Sequence, residues 1–169
     1  MTFEKKVAQF FGLNNKNWMR HSNPWSVYTR YTVLPIGILS YWSRIWIGDY
    51  WYILLVLSIL WMFLNPVFFK KPKSTKNWAS RSVMGERVYI NRDEVPIPDI
   101  HKTPLLNVLN GISGIGLVLA IWGAYELNIW MAILGLALTI IGKSWYLDRM
   151  VWLYEDMKDQ NAEYKSWEY

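Results

Sequence analysis

The sequence predicts an all-α membrane protein: four transmembrane helices as two tandem helical hairpins, joined by a cytoplasmic linker of 34 residues, Lys70 to Thr103. Three observations carry this. Leu105 to Tyr125 is 21 residues without a charge, roughly 30 Å as a helix and so the thickness of a bilayer's hydrocarbon core. Only Glu126-Leu127-Asn128 separates it from a second apolar stretch, Ile129 to about Leu147, and the same pattern occurs earlier as Tyr31 to Ile47 and Tyr50 to Phe69 around Gly48-Asp49. Finally, of 18 Lys and Arg, 17 lie before Tyr31, in the linker, or from Lys143 onward, and Arg44 is the exception. Positive charge resists translocation, so both termini and the linker are expected inside and the two turns outside.

Composition agrees. The chain has 169 residues, 53% of them hydrophobic, and the apolar residues are segregated into four blocks with the charges between. Trp and Tyr number 12 and 11, an excess suited to the headgroup boundary, where a ring faces lipid and its N–H or O–H faces water. With no Cys, disulfides and thiolate metal sites are excluded. The net charge of +5 flanks the apolar spans, which points to anionic lipid headgroups and the bilayer as partner, not to nucleic acid.

Residues 1–20 read as an amphipathic segment. Phe3, Val7, Phe10 and Phe11 share a helical face, with Glu4, Lys5 and Lys6 elsewhere; the segment lies in the interface or packs on the protein, and its apolar run is too interrupted for a secretory signal. Residues 21–69 form the first hairpin. Asn23 is a cap and Pro24 suits a first helical turn. A single helix is expected from Pro24 to about Ile47, kinked at Pro35, with Arg44 either snorkelling or pairing with Asp49 and Glu126. Asn65-Pro66 should disturb the end of the second span. In the linker, residues 70–103, Trp78 to Met84 is expected as a short helix stopped by Gly85, and Arg87 to Ile90 with Val95-Pro96-Ile97 as a small strand hairpin. Residues 104–154 form the second hairpin. Gly116, Ala120, Gly123 and Ala124, with Gly111 and Gly114, give its first helix a small-residue face, and Ala132 and Gly135 serve the second helix alike. Residues 155–169 read as an acidic, frayed helical tail.

The hairpins read as an internal repeat. His21 and His101, the only histidines, are 80 residues apart, and each precedes a proline by three positions, Pro24 and Pro104. Trp42 and Trp122 keep the offset, and after a one-residue slip Trp51 matches Trp130. Two-span halves share one orientation, so their axis runs along the membrane normal.

The stretches Arg20-His21-Ser22-Asn23-Pro24-Trp25-Ser26, Asn77-Trp78-Ala79-Ser80, Gly85-Glu86-Arg87-Val88 and Gly142 to Tyr154 resemble those of a small family of prokaryotic integral membrane proteins that carries a domain of unknown function. The resemblance covers nearly the whole chain. It implies a prokaryotic inner (plasma) membrane location and transfers no activity and no catalytic residue.

Two groups of residues are candidate sites. His21 and His101 can ligate a metal or a haem iron if the halves converge, with Asp99 or Glu86 completing the set; the competing reading is two interfacial histidines. Glu86, Arg87, Lys143, Asp148 and Arg149 form a candidate polar cluster for an ion, headgroup or anionic substrate, against a salt-bridge collar that fixes the linker. Three functions follow in order: a non-catalytic scaffold or accessory subunit with a membrane-protein partner or a second copy of itself and no cofactor, a small transporter or channel, and a metal- or haem-dependent redox protein.

Overall fold

A computed structural model describes residues 15–169, and the amphipathic face expected on Phe3, Val7, Phe10 and Phe11 lies outside them. Among the described residues the structure is helical, without strands. The helices are α1 (Asn15–His21), α2 (Pro24–Arg30), α3 (Val33–Trp42), α4 (Arg44–Ile47), α5 (Trp51–Phe68), α6 (Trp78–Ile90), α7 (Leu105–Tyr125), α8 (Ile129–Met157) and α9 (Ala162–Lys165). Three helical stretches, Pro24–Asn65, Asp99–Tyr125 and Ile129–Met157, are long and apolar enough to cross a membrane. The chain divides into two compact units, one of residues 29–65 and 105–145, the other of residues 15–28, 66–104 and 146–169.

The apolar unit contains two antiparallel pairs. The first reverses at Gly48, which takes φ +58°, a conformation cheap only for glycine. Past it, Trp51 meets Tyr41 edge-on at 5.2 Å. A Cβ at Gly37 would stand 3.7 Å from Ser58 Oγ, and Asn65 Nδ2 donates to Thr29 Oγ1 at 2.7 Å. In place of one helix kinked at Pro35, the chain breaks at Tyr31-Thr32 and again at Ser43. Proline has no N–H for the carbonyl four residues back, that of Tyr31, so the helix ends there and restarts with Pro35 in the first turn of α3. The expected disturbance at Asn65-Pro66 is absent: α5 runs on to Phe68.

The second pair is held by backbone contact. A Cβ on Gly116 would lie 2.5 Å from the Thr139 nitrogen, one on Gly123 2.9 Å from Ala132 Cα, and one on Gly135 2.6 Å from Ala120 Cα. Ala120, Ala124 and Ala132 are buried, as the small-residue spacing predicts. Gly142, not foreseen, extends the seam, its Cβ position falling 2.6 Å from Ser113 Oγ. Gly111 and Gly114, expected on the same face, have nothing within 4 Å; their helical angle points them away from it. Trp42 Nε1 donates to the Ala124 carbonyl at 2.9 Å and Arg44 Nη2 to the Tyr125 carbonyl at 2.9 Å. Both carbonyls belong to the last turn of α7, where no intrahelical partner exists, and a cation there also favours the helix dipole. The two turns therefore lie at one end of this unit. Arg44 neither pairs with Asp49 or Glu126 nor simply snorkels: it caps a neighbouring helix.

The polar unit is built on α6. Asn77 Oδ1 accepts from the Ser80 N–H at 2.9 Å and so caps it. Gly85 does not stop this helix. It lies against the backbone of Met150, where a Cβ would come within 2.9 Å of Met150 Cβ, and α6 continues to Ile90 in place of the expected strand hairpin. Trp18, Val27, Ala79 and Val83 form its core, with Trp78 and Ile90 against them. As expected, Asn23 caps α2, its Oδ1 accepting from the Trp25 N–H at 2.9 Å.

Candidate functional site

Helix α6 and the C-terminal segment together assemble the densest group of charges in the polar unit. Arg81 projects from α6 and pairs through Nη1 with Glu155 at 3.0 Å and through Nη2 with Glu168 at 2.9 Å. Lys158 closes the set, 2.7 Å from Glu155 and 3.6 Å from Glu168. The hydrogen bond that Lys158 donates to Glu155 raises the Lys158 pKa above its ordinary value. Two cations thus balance two anions, half-exposed and mutually engaged.

Six residues further along α6, Arg87 is buried. Its Nη2 meets Glu163 at 3.1 Å, and its guanidinium lies 4.0 Å from the centre of the Trp167 ring. Burial lowers the Arg87 pKa, with Glu163 acting against the shift; arginine stays charged regardless. Trp167 stacks on Tyr154 at an interplanar angle of 7°, and Tyr154 O–H donates to the Tyr164 carbonyl at 3.1 Å. The chain end is sewn to residue 75: the Thr75 N–H donates to the Tyr169 carbonyl at 2.9 Å, the Thr75 hydroxyl to the Trp167 carbonyl at 2.9 Å, and the Tyr169 N–H back to Thr75 Oγ1 at 2.9 Å. Residues 155–169 are therefore not a frayed tail. Tyr164 and Trp167 are buried core, and aromatic burial of this size outweighs the cost of ordering a short terminal segment.

The residues singled out in the sequence are distributed differently. Asp148 Oδ1 accepts from Trp78 Nε1 at 3.1 Å, and Arg149 lies over the Trp152 ring at 4.9 Å. Arg87 takes Glu163, as above. Glu86 is half-buried on α6, while Lys143 belongs to the apolar unit. The collar that forms is Arg81, Glu155, Lys158 and Glu168. Its local part, Glu155 and Lys158, is three residues apart at the end of α8 and was not singled out in the sequence; its long-range part had no sequence signal. The histidines have separate neighbours. His21, 5% exposed, sits edge-on to Trp18 at 5.9 Å. His101, also 5% exposed, places Nε2 2.7 Å from Asp156 Oδ2. Both end a helical turn three residues before a proline, α1 in one case and a 3-10 turn Asp99–His101 in the other. Among the described residues no three His, Asp or Glu side chains converge as a metal-holding group.

A family model matches residues 2–167, across both units. The chain belongs to the family of unknown function DUF6653. Membership in DUF6653 agrees with the resemblance drawn from the Arg20–Ser26, Asn77–Ser80 and Gly142–Tyr154 stretches, and the description of DUF6653 carries no activity. No curated protein and no solved structure matches the chain.

Proposed function

We propose that this member of DUF6653 is a four-span integral membrane protein of a prokaryotic inner membrane, acting as a non-catalytic scaffold or accessory subunit. The observation that carries the reading is the way charge is used. Arg81, Arg87 and His101 each face a carboxylate on another element, and Lys158 braces Glu155 and Glu168, the two carboxylates that hold Arg81. Charge committed to fastening elements suits a rigid platform better than a proton-transfer or transport site, which needs groups poised to change state.

Exposure supports the four-span reading. Helix α5 turns Ile53, Leu57, Leu60 and Leu64 outward, each more than two-fifths exposed, and the outer faces of α7 and α8 do the same with Val118, Ile121 and Leu134. Helices with apolar outer faces of this extent belong in lipid. On this reading the reversal at Gly48 divides the stretch Pro24–Asn65 into two spans. The register supports the repeat. Contacts in the first pair centre close to Ile47-Gly48, and those in the second on Leu127-Asn128, about 80 residues on. Both turns at one end of the apolar unit, with 17 basic residues away from them, favour cytoplasmic termini.

Co-purification from native membrane tests the function: a stoichiometric partner protein is expected. Ion or solute flux in liposomes with no partner would replace this reading with transport, and a visible absorption band would replace it with redox chemistry. Topology is tested separately. A reporter after Tyr169 should score cytoplasmic and one between Gly48 and Asp49 external; the two on one side would end the four-span reading.

A further inference from the structure

Arg44 touches Tyr41 and Tyr125, two of the residues that line an apolar crevice in the hairpin unit. The crevice, of about 370 Å³, is lined by Leu34, Ile38, Leu55 and Ile121 together with Tyr41 and Tyr125. The Arg44 guanidinium lies 3.9 Å from the centre of the Tyr41 ring. It donates to the Tyr41 carbonyl at 3.2 Å and to the Tyr125 carbonyl at 2.9 Å. Both tyrosines are therefore shared between the crevice and the cation. Among the described residues no carboxylate pairs with Arg44, and two bonds to carbonyls leave part of its five-donor fork unspent.

We infer that this crevice holds one anionic phospholipid, an acyl chain against Leu34, Ile38, Leu55 and Ile121 and the phosphate on Arg44. The chemistry of the two parts is that of a lipid. An apolar slot of several hundred cubic ångströms suits hydrocarbon. A guanidinium held on two of its lining residues suits a phosphate, which it binds through paired N–H donors. Its ring contact with Tyr41 and its bonds to two carbonyls fix the fork in place, so little side-chain entropy is lost on binding. A second copy of the chain fits less well, because it would have to bring an anion to Arg44 as well as a ridge to the slot.

The inference rests on the membrane reading above. The test uses the full chain in detergent, with native mass spectrometry after addition of phosphatidylglycerol or phosphatidylcholine with identical acyl chains. One retained phosphatidylglycerol is expected, preferred about fivefold, since a basic group at a lipid surface discriminates by about that factor. Arg44→Gln keeps hydrogen-bond donors but loses the charge, and should erase the preference; Arg44→Lys should restore part of it. Ile121→Trp, at a position 58% exposed and so tolerant of size, should lower retention of both lipids. Equal retention of the two lipids by the unaltered protein, a preference that survives Arg44→Gln, or retention indifferent to Ile121→Trp would each overturn the site. So would a dimer that Ile121→Trp disperses, which would place a second copy on the crevice. These failures leave the topology reporters untouched, whereas failure of the four-span reading would show in the reporters first.

Discussion

Gly135 lies against Ala120 so closely that a side-chain carbon on the glycine would stand 2.6 Å from the alanine Cα. The two helices meet through their backbones here. In lipid, where burying apolar area brings no gain, such contact supplies the dispersion energy and weak hydrogen bonding that hold helices together. Ala120→Leu and Gly135→Leu should each destabilise by about 1–3 kcal/mol, the range for overpacking a close contact. Gly111→Ala is the control: nothing lies within 4 Å of its added carbon, and a mid-helix glycine costs about 0.5–1 kcal/mol relative to alanine. Thermal unfolding in detergent should fall for the first two and hold or rise for the third. No change on Ala120→Leu would place that face toward lipid.

Leu127 occupies the left-handed region at φ +57°. The Asn128 N–H reaches back to the Gly123 carbonyl at 2.8 Å, the bond of a Schellman motif, in which the left-handed position is normally glycine. Asn128 Oδ1 then accepts from the Met131 N–H at 3.0 Å and caps α8. A β-carbon in this conformation costs roughly 1–2 kcal/mol. The leucine side chain is half-exposed and returns little of that. Leu127→Gly should raise the unfolding temperature in detergent. A lowered temperature would mean that the leucine's contact with lipid outweighs its strain.

The C-terminal segment should behave as part of the fold. Trp167 fills the space between Tyr154, Tyr164 and Arg87, and removing such a ring typically costs about 3–5 kcal/mol. Trp167→Ala, or truncation after Gln160, should expose α6 to protease well before the hairpins are cut. If limited proteolysis of the truncated chain matches that of the full chain, the terminal segment contributes nothing to the unit.

How much of this was legible in the sequence depends on the range of the interactions. The apolar lengths, the Gly48 reversal and the small-residue seam are local patterns read through helical geometry, and the structure bears out the seam at Gly116, Ala120, Gly123, Ala132 and Gly135. Glycine misled twice. Gly85 looked like a helix stop because nothing in sequence announces Met150 as its neighbour, and Gly111 and Gly114 looked like seam residues because spacing alone does not fix which face a helix presents. The collar of Arg81, Glu155, Lys158 and Glu168 was illegible for the same reason. Arg81 meets Glu155 and Glu168 across 74 and 87 residues, and no local rule selects them over Glu86 or Asp148. The acidic composition of the tail suggested fraying, but Tyr164, Trp167 and Tyr169, visible in the sequence, were the stronger signal.

The remaining prediction concerns His101 and Asp156, which approach to 2.7 Å across 55 residues. The imidazole is buried and the carboxylate about half-exposed, so the bond is partly shielded from water and joins the 3-10 turn before α7 to the end of α8. If the bond is a structural clip, His101→Gln and Asp156→Asn should each lower stability, and the double variant should lose less than the total of the two. A coupling of about 1 kcal/mol is expected, within the usual range of about 0.5–3 kcal/mol for residues in direct contact. Thermal unfolding of the four proteins in one detergent supplies the cycle. Strictly additive losses would show that the pair contributes no bond of its own. His101 would then count by its packing alone, and the turn before α7 would have to be held by its other contacts.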